Sequence, residues 1–197
     1  KQIFSVVLWF SCGVALLVVA ALKLFPEAII GIVIDRADAQ ITSLALTYLG
    51  IVCFSYLPFA VSTALVGMLR TIEVVRITMY IALYALVSNI GLNYVLIFGK
   101  LGFPALGIRG AALATLLARL GEVALVLFYT FKVQKHIKVT PRDFLSIDKT
   151  MFRDYLFYGV PVGVTDAQWA LIGMLKSAII GHLGGVFMAA NSIATSM

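Results

Sequence analysis

Charge is scarce in this chain of 197 residues: Asp, Glu, Lys and Arg together make up 12% of it, about half the share of an ordinary soluble domain. A surface that poor in charge excludes a soluble globular protein. Cysteine is nearly absent. Cys12 and Cys53 each sit within an apolar stretch, which excludes a disulfide framework and makes each a small buried hydrophobe. His136 and His182 stand alone, with no second ligand type nearby and no CxxC or Cys/His spacing, so neither a metal site nor a cofactor is expected. Nucleotide motifs are missing as well. Gly102 and Gly107 have the spacing of a Walker loop, but Ile108 and Arg109 follow where Lys and Ser or Thr are needed, and no GxGxxG triplet occurs.

What the chain has in excess is apolar surface, with 62% hydrophobic residues and a mean hydropathy of +1.05. It reads as an all-α, polytopic membrane protein. Stretches 3–24, 41–68, 77–98, 110–131 and 155–183 are each long enough to cross about 30 Å of hydrocarbon, which takes roughly 20 helical residues. A sixth span begins near Met188. The chain opens on Lys1 and closes at Met197 inside an apolar run, so the expectation is a fragment. The first span carries "VAA" at 19–21, yet its apolar region is too long for a signal peptide and four more spans follow.

Loop charge sets the orientation. The segment "KVQKHIKVTPRDFLSIDKTMFR" at 132–153 holds six Lys or Arg, and "RTIEVVR" at 70–76 holds two more, which places both in the cytoplasm. The loops at 35–38 and 99–109 then fall outside. The net charge of +6 is mostly topology. Nucleic acid is not an expected partner, because the basic residues lack interleaved stacking aromatics.

The glycine-rich stretch at 99–110 becomes a turn: Gly99, Gly102 and Pro104 interrupt one helix, and Gly107 to Gly110 restart the next. At 100° per residue, Gly110, Ala111, Ala112, Ala114, Thr115, Ala118, Arg119, Gly121 and Glu122 occupy one side of that next helix. Leucines occupy the other. The small side permits close packing in lipid and the leucine side faces acyl chains. Arg119 and Glu122 lie near mid-membrane on the packed side. An Arg at the centre costs about 2.5–3.5 kcal/mol and the acid a comparable amount, nearly cancelling the roughly 3–6 kcal/mol by which the apolar residues favour insertion. Paired at i,i+3, they either fasten the helix to its neighbours or act in a transport cycle.

Two more spans share that design. Thr78, Ala82, Ala85, Asn89 and Asn93 fall on one side of the third, as interhelical glue or as the wall of a wet cavity. Gly159, Gly163, Asp166, Ala170, Gly173, Ser177 and Gly181 share a narrow arc of the fifth, which puts Asp166 on a small-residue seam. Pro58 and Pro161 are expected to kink their helices.

The combination of "LRTIEVVRITM" at 69–79, "NIGLNYVLIFGKLGFPALGIRGAALATLLARLGE" at 89–122 and "YGVPVGVTDAQW" at 158–169 resembles the multidrug and toxic compound extrusion family, MATE. The resemblance implies a twelve-helix antiporter of two six-helix lobes in a cell membrane, the inner membrane in a bacterium. Residues 1–131 would be four helices of the N-terminal lobe, 132–153 the cytoplasmic link and 154–197 the start of the C-terminal lobe. It further implies export of small amphipathic or cationic drugs in exchange for protons or sodium ions. The partners would be membrane lipid and the remaining helices of a longer chain. On that likeness Asn89, Asn93 and Thr115 line the cavity of the N-terminal lobe.

This chain departs from the family pattern at three places. Asn93, which cannot titrate, stands where some members have an aspartate. Trp169 stands where many have a glutamate, with Asp166 one turn earlier as a substitute. The loop at 69–79 lacks the usual glycine and proline. Two alternatives stay open: a flippase for lipid-linked saccharides, which a cation-lined cavity would favour, and a membrane-embedded enzyme, which would need a His/Asp, metal or nucleophile cluster.

Overall fold

The computed structural model describes residues 2–33, 39–133 and 149–182, and every regular element among them is helical. Helix α1 spans Gln2–Leu24, and Pro26 opens the short α2, Pro26–Val33, at a position where its missing N–H costs nothing. Helices α3, Ala39–Val52, and α4, Tyr56–Thr71, are joined by a 3-10 turn at Cys53–Ser55. Then come α5, Val75–Phe98, and α6, Ile108–Phe128, which runs into a π-turn at Tyr129–Val133. Helix α7 spans Lys149–His182. The expected outer loop at 35–38, most of the basic link with His136, and the start of the sixth span lie outside the described residues.

Among the described residues, four helical stretches are long and apolar enough to cross a membrane: Phe4–Leu24, Ile41–Thr71, Val75–Phe98 and Ile108–Val133. The chain is thus a multi-pass membrane protein. Helix α7 is the longest, at 34 residues, but Asp166, Gln168 and Lys176 dilute its apolar character. The prolines act differently from each other. Pro58 offers no N–H to the carbonyl four residues back and its ring crowds that carbonyl, and the 3-10 turn sits at that place, with the Ser55 hydroxyl donating to the Val52 carbonyl at 2.6 Å. Helix α7 instead continues unbroken through Pro161, losing one backbone hydrogen bond without ending the helix.

Helix α6 is the hub, packed along α5 and touching α3 and α4, while α1 lies against α4 and α7. The reason is its small side: Gly110, Ala112, Ala114 and Ala118 are buried, and Leu117 and Leu120 face outward. A methyl group on Gly110 would run into the Leu96 carbonyl of α5, so the two backbones approach as closely as glycine allows. The turn between them starts at Gly99, whose φ of +66° closes α5 in the left-handed conformation that glycine adopts without penalty. Near the other end of α6, Leu65 and Leu69 of α4, Ile81 of α5 and Val126 form an apolar cluster.

The turn from α4 to α5 closes by the same kind of geometry without glycine. The Val74 N–H donates to the Leu69 carbonyl and the Glu73 N–H to the Arg70 carbonyl, both at 3.0 Å, the paired bonds of a Schellman closure. Glu73 takes the left-handed position, with φ +61°, in a stretch, 69–79, that holds no glycine.

Two substitutions therefore shift stability in opposite directions. Glu73→Gly removes a side chain from the left-handed region and raises stability by about 1 kcal/mol. Gly110→Ala forces α5 and α6 apart and lowers it by about 1–3 kcal/mol. Thermal melting of detergent-purified protein reads both, with Gly91→Ala, whose added methyl meets open space, expected to stay within about 0.5 kcal/mol of wild type or above it.

Candidate functional site: a polar cavity between two helices

Thr115, Ala118, Arg119 and Glu122 recur at intervals of three and four along α6, so they share one face of it. That face meets Ala85 and Asn89 of α5 around a cavity of about 480 Å³. Alanines at the wall leave the room that larger side chains would fill. Asn89, Thr115, Arg119 and Glu122, picked out in the sequence for separate reasons, are here brought to one place.

Asn93 is one turn from Asn89 and donates its Nδ2 hydrogen to Asn89 Oδ1 at 3.0 Å. The bond runs within α5 rather than across to another helix. Asn93 does not line the cavity, and its own Oδ1 is buried with no partner among the described residues. Leaving a buried carbonyl oxygen unpaired costs about 1–3 kcal/mol. The Thr115 hydroxyl donates to the Ala111 carbonyl at 3.1 Å, which leaves its lone pairs open to the cavity as acceptors.

Arg119 and Glu122 form a pair with Nη1 to Oε2 at 2.6 Å, the acid side chain 10% exposed and the arginine side chain 36%. A carboxylate that deep in an apolar bundle needs more than one partner. The second is Ser62 of α4, buried, whose hydroxyl donates to Glu122 Oε1 at 2.6 Å. The guanidinium lies over the Phe59 ring, 4.6 Å from its centre, within range of a cation–π attraction. Ser62 and Phe59, three residues apart, share one face of α4, and the four side chains lock α4 to α6. Sequence reasoning missed both α4 residues. The signal available was a polar "ST" at 62–63 inside an apolar span, which by itself does not say which helix it faces.

Asp166 is placed elsewhere. It is exposed and borders a separate groove of about 870 Å³ between α1 and α7, together with Asp154, Phe10 and Tyr155. Its small-residue seam has no cover among the described residues, since an added methyl at Gly163 or Gly173 would meet open space. A third hollow of about 330 Å³ adjoins this groove, sharing Phe10 and Tyr155 with it and reaching Tyr56 and Phe59 on α4. Among the described residues no group of three or more His, Cys, Asp or Glu could hold a metal ion.

Comparison with known proteins finds relatives over most of the chain. The MatE family model matches residues 1–95, from α1 through most of α5. A probable multidrug resistance protein NorM of Rhizobium meliloti (strain 1021) is 32% identical over 156 residues, which is 79% of this chain and 33% of that protein. A protein of the same description from Streptococcus pneumoniae (strain ATCC BAA-255 / R6) is 29% identical over 160 residues, 80% of this chain and 35% of that protein. Another from Thermotoga maritima is 32% identical over 115 residues, 58% of this chain and 25% of that protein. The chain thus spans about a third of the length of the first two of these relatives.

The polar lock has a distinctive mutational pattern. Arg119→Ala leaves the Glu122 charge buried with one hydroxyl for company and destabilises by about 3–5 kcal/mol, whereas Arg119→Ala with Glu122→Ala removes both charges and costs less than either alone. Yield and melting temperature of the three purified variants measure this, and an additive double variant would separate the two residues energetically.

Proposed function

Because this chain belongs to the MatE family, we propose that it supplies part of the membrane domain of a multidrug efflux transporter, a secondary antiporter that exports drugs or organic cations by alternating access. The observation that carries the reading is the cavity of Asn89, Thr115, Arg119 and Glu122, set between two helices long and apolar enough to span a membrane. Polar groups at that depth are costly and mark a pathway for a polar solute. The lining is one amide, one hydroxyl, one acid and one base among three alanines and a leucine. It carries no net charge, which supports a site for varied amphipathic molecules over the cation-rich cavity that a lipid-linked saccharide would call for.

The proposed cycle divides the work among three parts of the chain. Asn89 and Thr115 offer a hydrogen-bond donor and acceptors whose partners a substrate or its water can replace. The Arg119–Glu122–Ser62 lock keeps α4 and α6 moving as one body, as rigid-body rocking requires. Compliance resides in the 3-10 turn at Cys53–Ser55, where two shorter helices meet within one span. Coupling to protons or sodium ions is assigned to Asp166, whose carboxylate stands at the α1–α7 groove without a cation partner among the described residues.

Efflux of a cationic dye from cells producing the full-length transporter tests this division. Asn89→Ala and Thr115→Ala are expected to cut the efflux rate about tenfold or more, and Asp166→Asn to abolish it, each with membrane expression unchanged. Undiminished efflux in Asp166→Asn would remove that residue from coupling, and undiminished efflux in both cavity variants would remove the cavity from the pathway.

A further inference from the structure

The Arg119 guanidinium is a flat, delocalised cation already seated on an aromatic ring, and the ring and the cation border two different spaces. Arg119 lines the α5–α6 cavity, while the Phe59 ring beneath it lines the aromatic hollow that holds Phe10, Tyr56 and Tyr155. Phe10 and Tyr155 stack edge to face with centroids 5.5 Å apart, and both border the neighbouring groove that carries Asp154 and Asp166. The hollow itself has no charged residue among its described lining. An aromatic organic cation drawn by the two carboxylates would find in the hollow four ring-bearing side chains and no ammonium or guanidinium to repel it, except at the Phe59 ring. There Arg119 is the resident cation, held in place by Glu122 and, through Glu122, by Ser62.

We propose that Arg119 is an internal competitor for organic cations at the Phe59 ring, so that the strength of its tether to Glu122 and Ser62 sets which substrates the aromatic hollow accepts. A cation that binds the ring displaces the guanidinium toward the cavity, where Glu122 still holds it. A neutral molecule of the same shape gains nothing from the displacement, because a ring quadrupole attracts charge and not shape. Phe59 and Arg119 thereby become selectivity residues that link the α1–α7 side of α4 to the α5–α6 cavity on its other side. The inference rests on the transport reading above and goes beyond it, since that reading assigns Arg119 only a structural part.

Binding of tetraphenylphosphonium to the purified full-length transporter separates the possibilities. Arg119→Gln frees the ring and is expected to tighten the Kd about fivefold or more, while Arg119→Lys, which keeps a cation beside Glu122, stays within about twofold of wild type. The gain should persist in Arg119→Gln with Glu122→Gln, which also serves where the single variant folds poorly because it removes the bare buried charge. It should vanish in Arg119→Gln with Phe59→Leu. A gain that survives the loss of Phe59, or that disappears when Glu122 is neutralised, would assign the effect to the uncovered carboxylate and overturn the proposal. Failure of the wild-type protein to bind the probe would overturn the transport reading and this inference together, whereas wild-type binding with no response to Arg119→Gln would overturn the inference alone.

Discussion

A charged pair inside an apolar helix bundle is the constraint from which the rest of this structure follows. Arg119 and Glu122 would together nearly cancel the membrane insertion of their own helix if they faced lipid. Their cost is offset by placement on the packed side of α6 and by two groups from α4: the Ser62 hydroxyl on one carboxylate oxygen and the Phe59 ring beneath the guanidinium. Each is a modest interaction. A hydrogen bond to a charged group contributes about 1.5–3 kcal/mol and a cation–π contact about 0.5–2. What they accomplish jointly is to make the α4–α6 interface specific, because no other rotation of α4 presents Ser62 and Phe59 to α6 together.

The small residues of α6 solve a second problem set by the same pair. A helix that must press a polar face inward needs neighbours close enough to exclude lipid, and Gly110, Ala112, Ala114 and Ala118 provide that closeness. Where the α5 wall is also alanine, at Ala82 and Ala85, the small side chains leave a hollow instead of a contact. Packing and cavity are therefore products of one composition. Near Gly110 the α5 backbone fills the space, and two to three turns further along α6 the space stays open beside Arg119 and Glu122.

Much of this was legible in the sequence because it lies on single helices. The period of α6 separated its small and leucine faces, the i,i+3 spacing paired Arg119 with Glu122, and glycine and proline located the 99–107 turn. Features that depend on two helices were not legible. Ser62 and Glu122 are 60 residues apart, and the rotation of α4 that brings them together is set beyond the 3-10 turn, which a helical wheel drawn through 41–68 as one helix places wrongly. The grouping of Asn89 with Arg119 and the separation of Asp166 from both are likewise facts about how helices assemble. Glu73 is a subtler case: its left-handed φ is dictated by the closure of α4, and a sequence without glycine gave no sign of it.

A cavity that serves as a passage requires the face of α6 bearing Thr115, Arg119 and Glu122 to be wet while its leucine face is not. Cysteine substitution at Thr115 and at Leu120, in full-length protein whose Cys12 and Cys53 are replaced, followed by a membrane-impermeant thiol reagent, tests it most directly. Thr115→Cys is expected to label, an organic cation to slow its labelling, and Leu120→Cys not to react. Equal labelling of the two positions, or labelling at Leu120 alone, would contradict it.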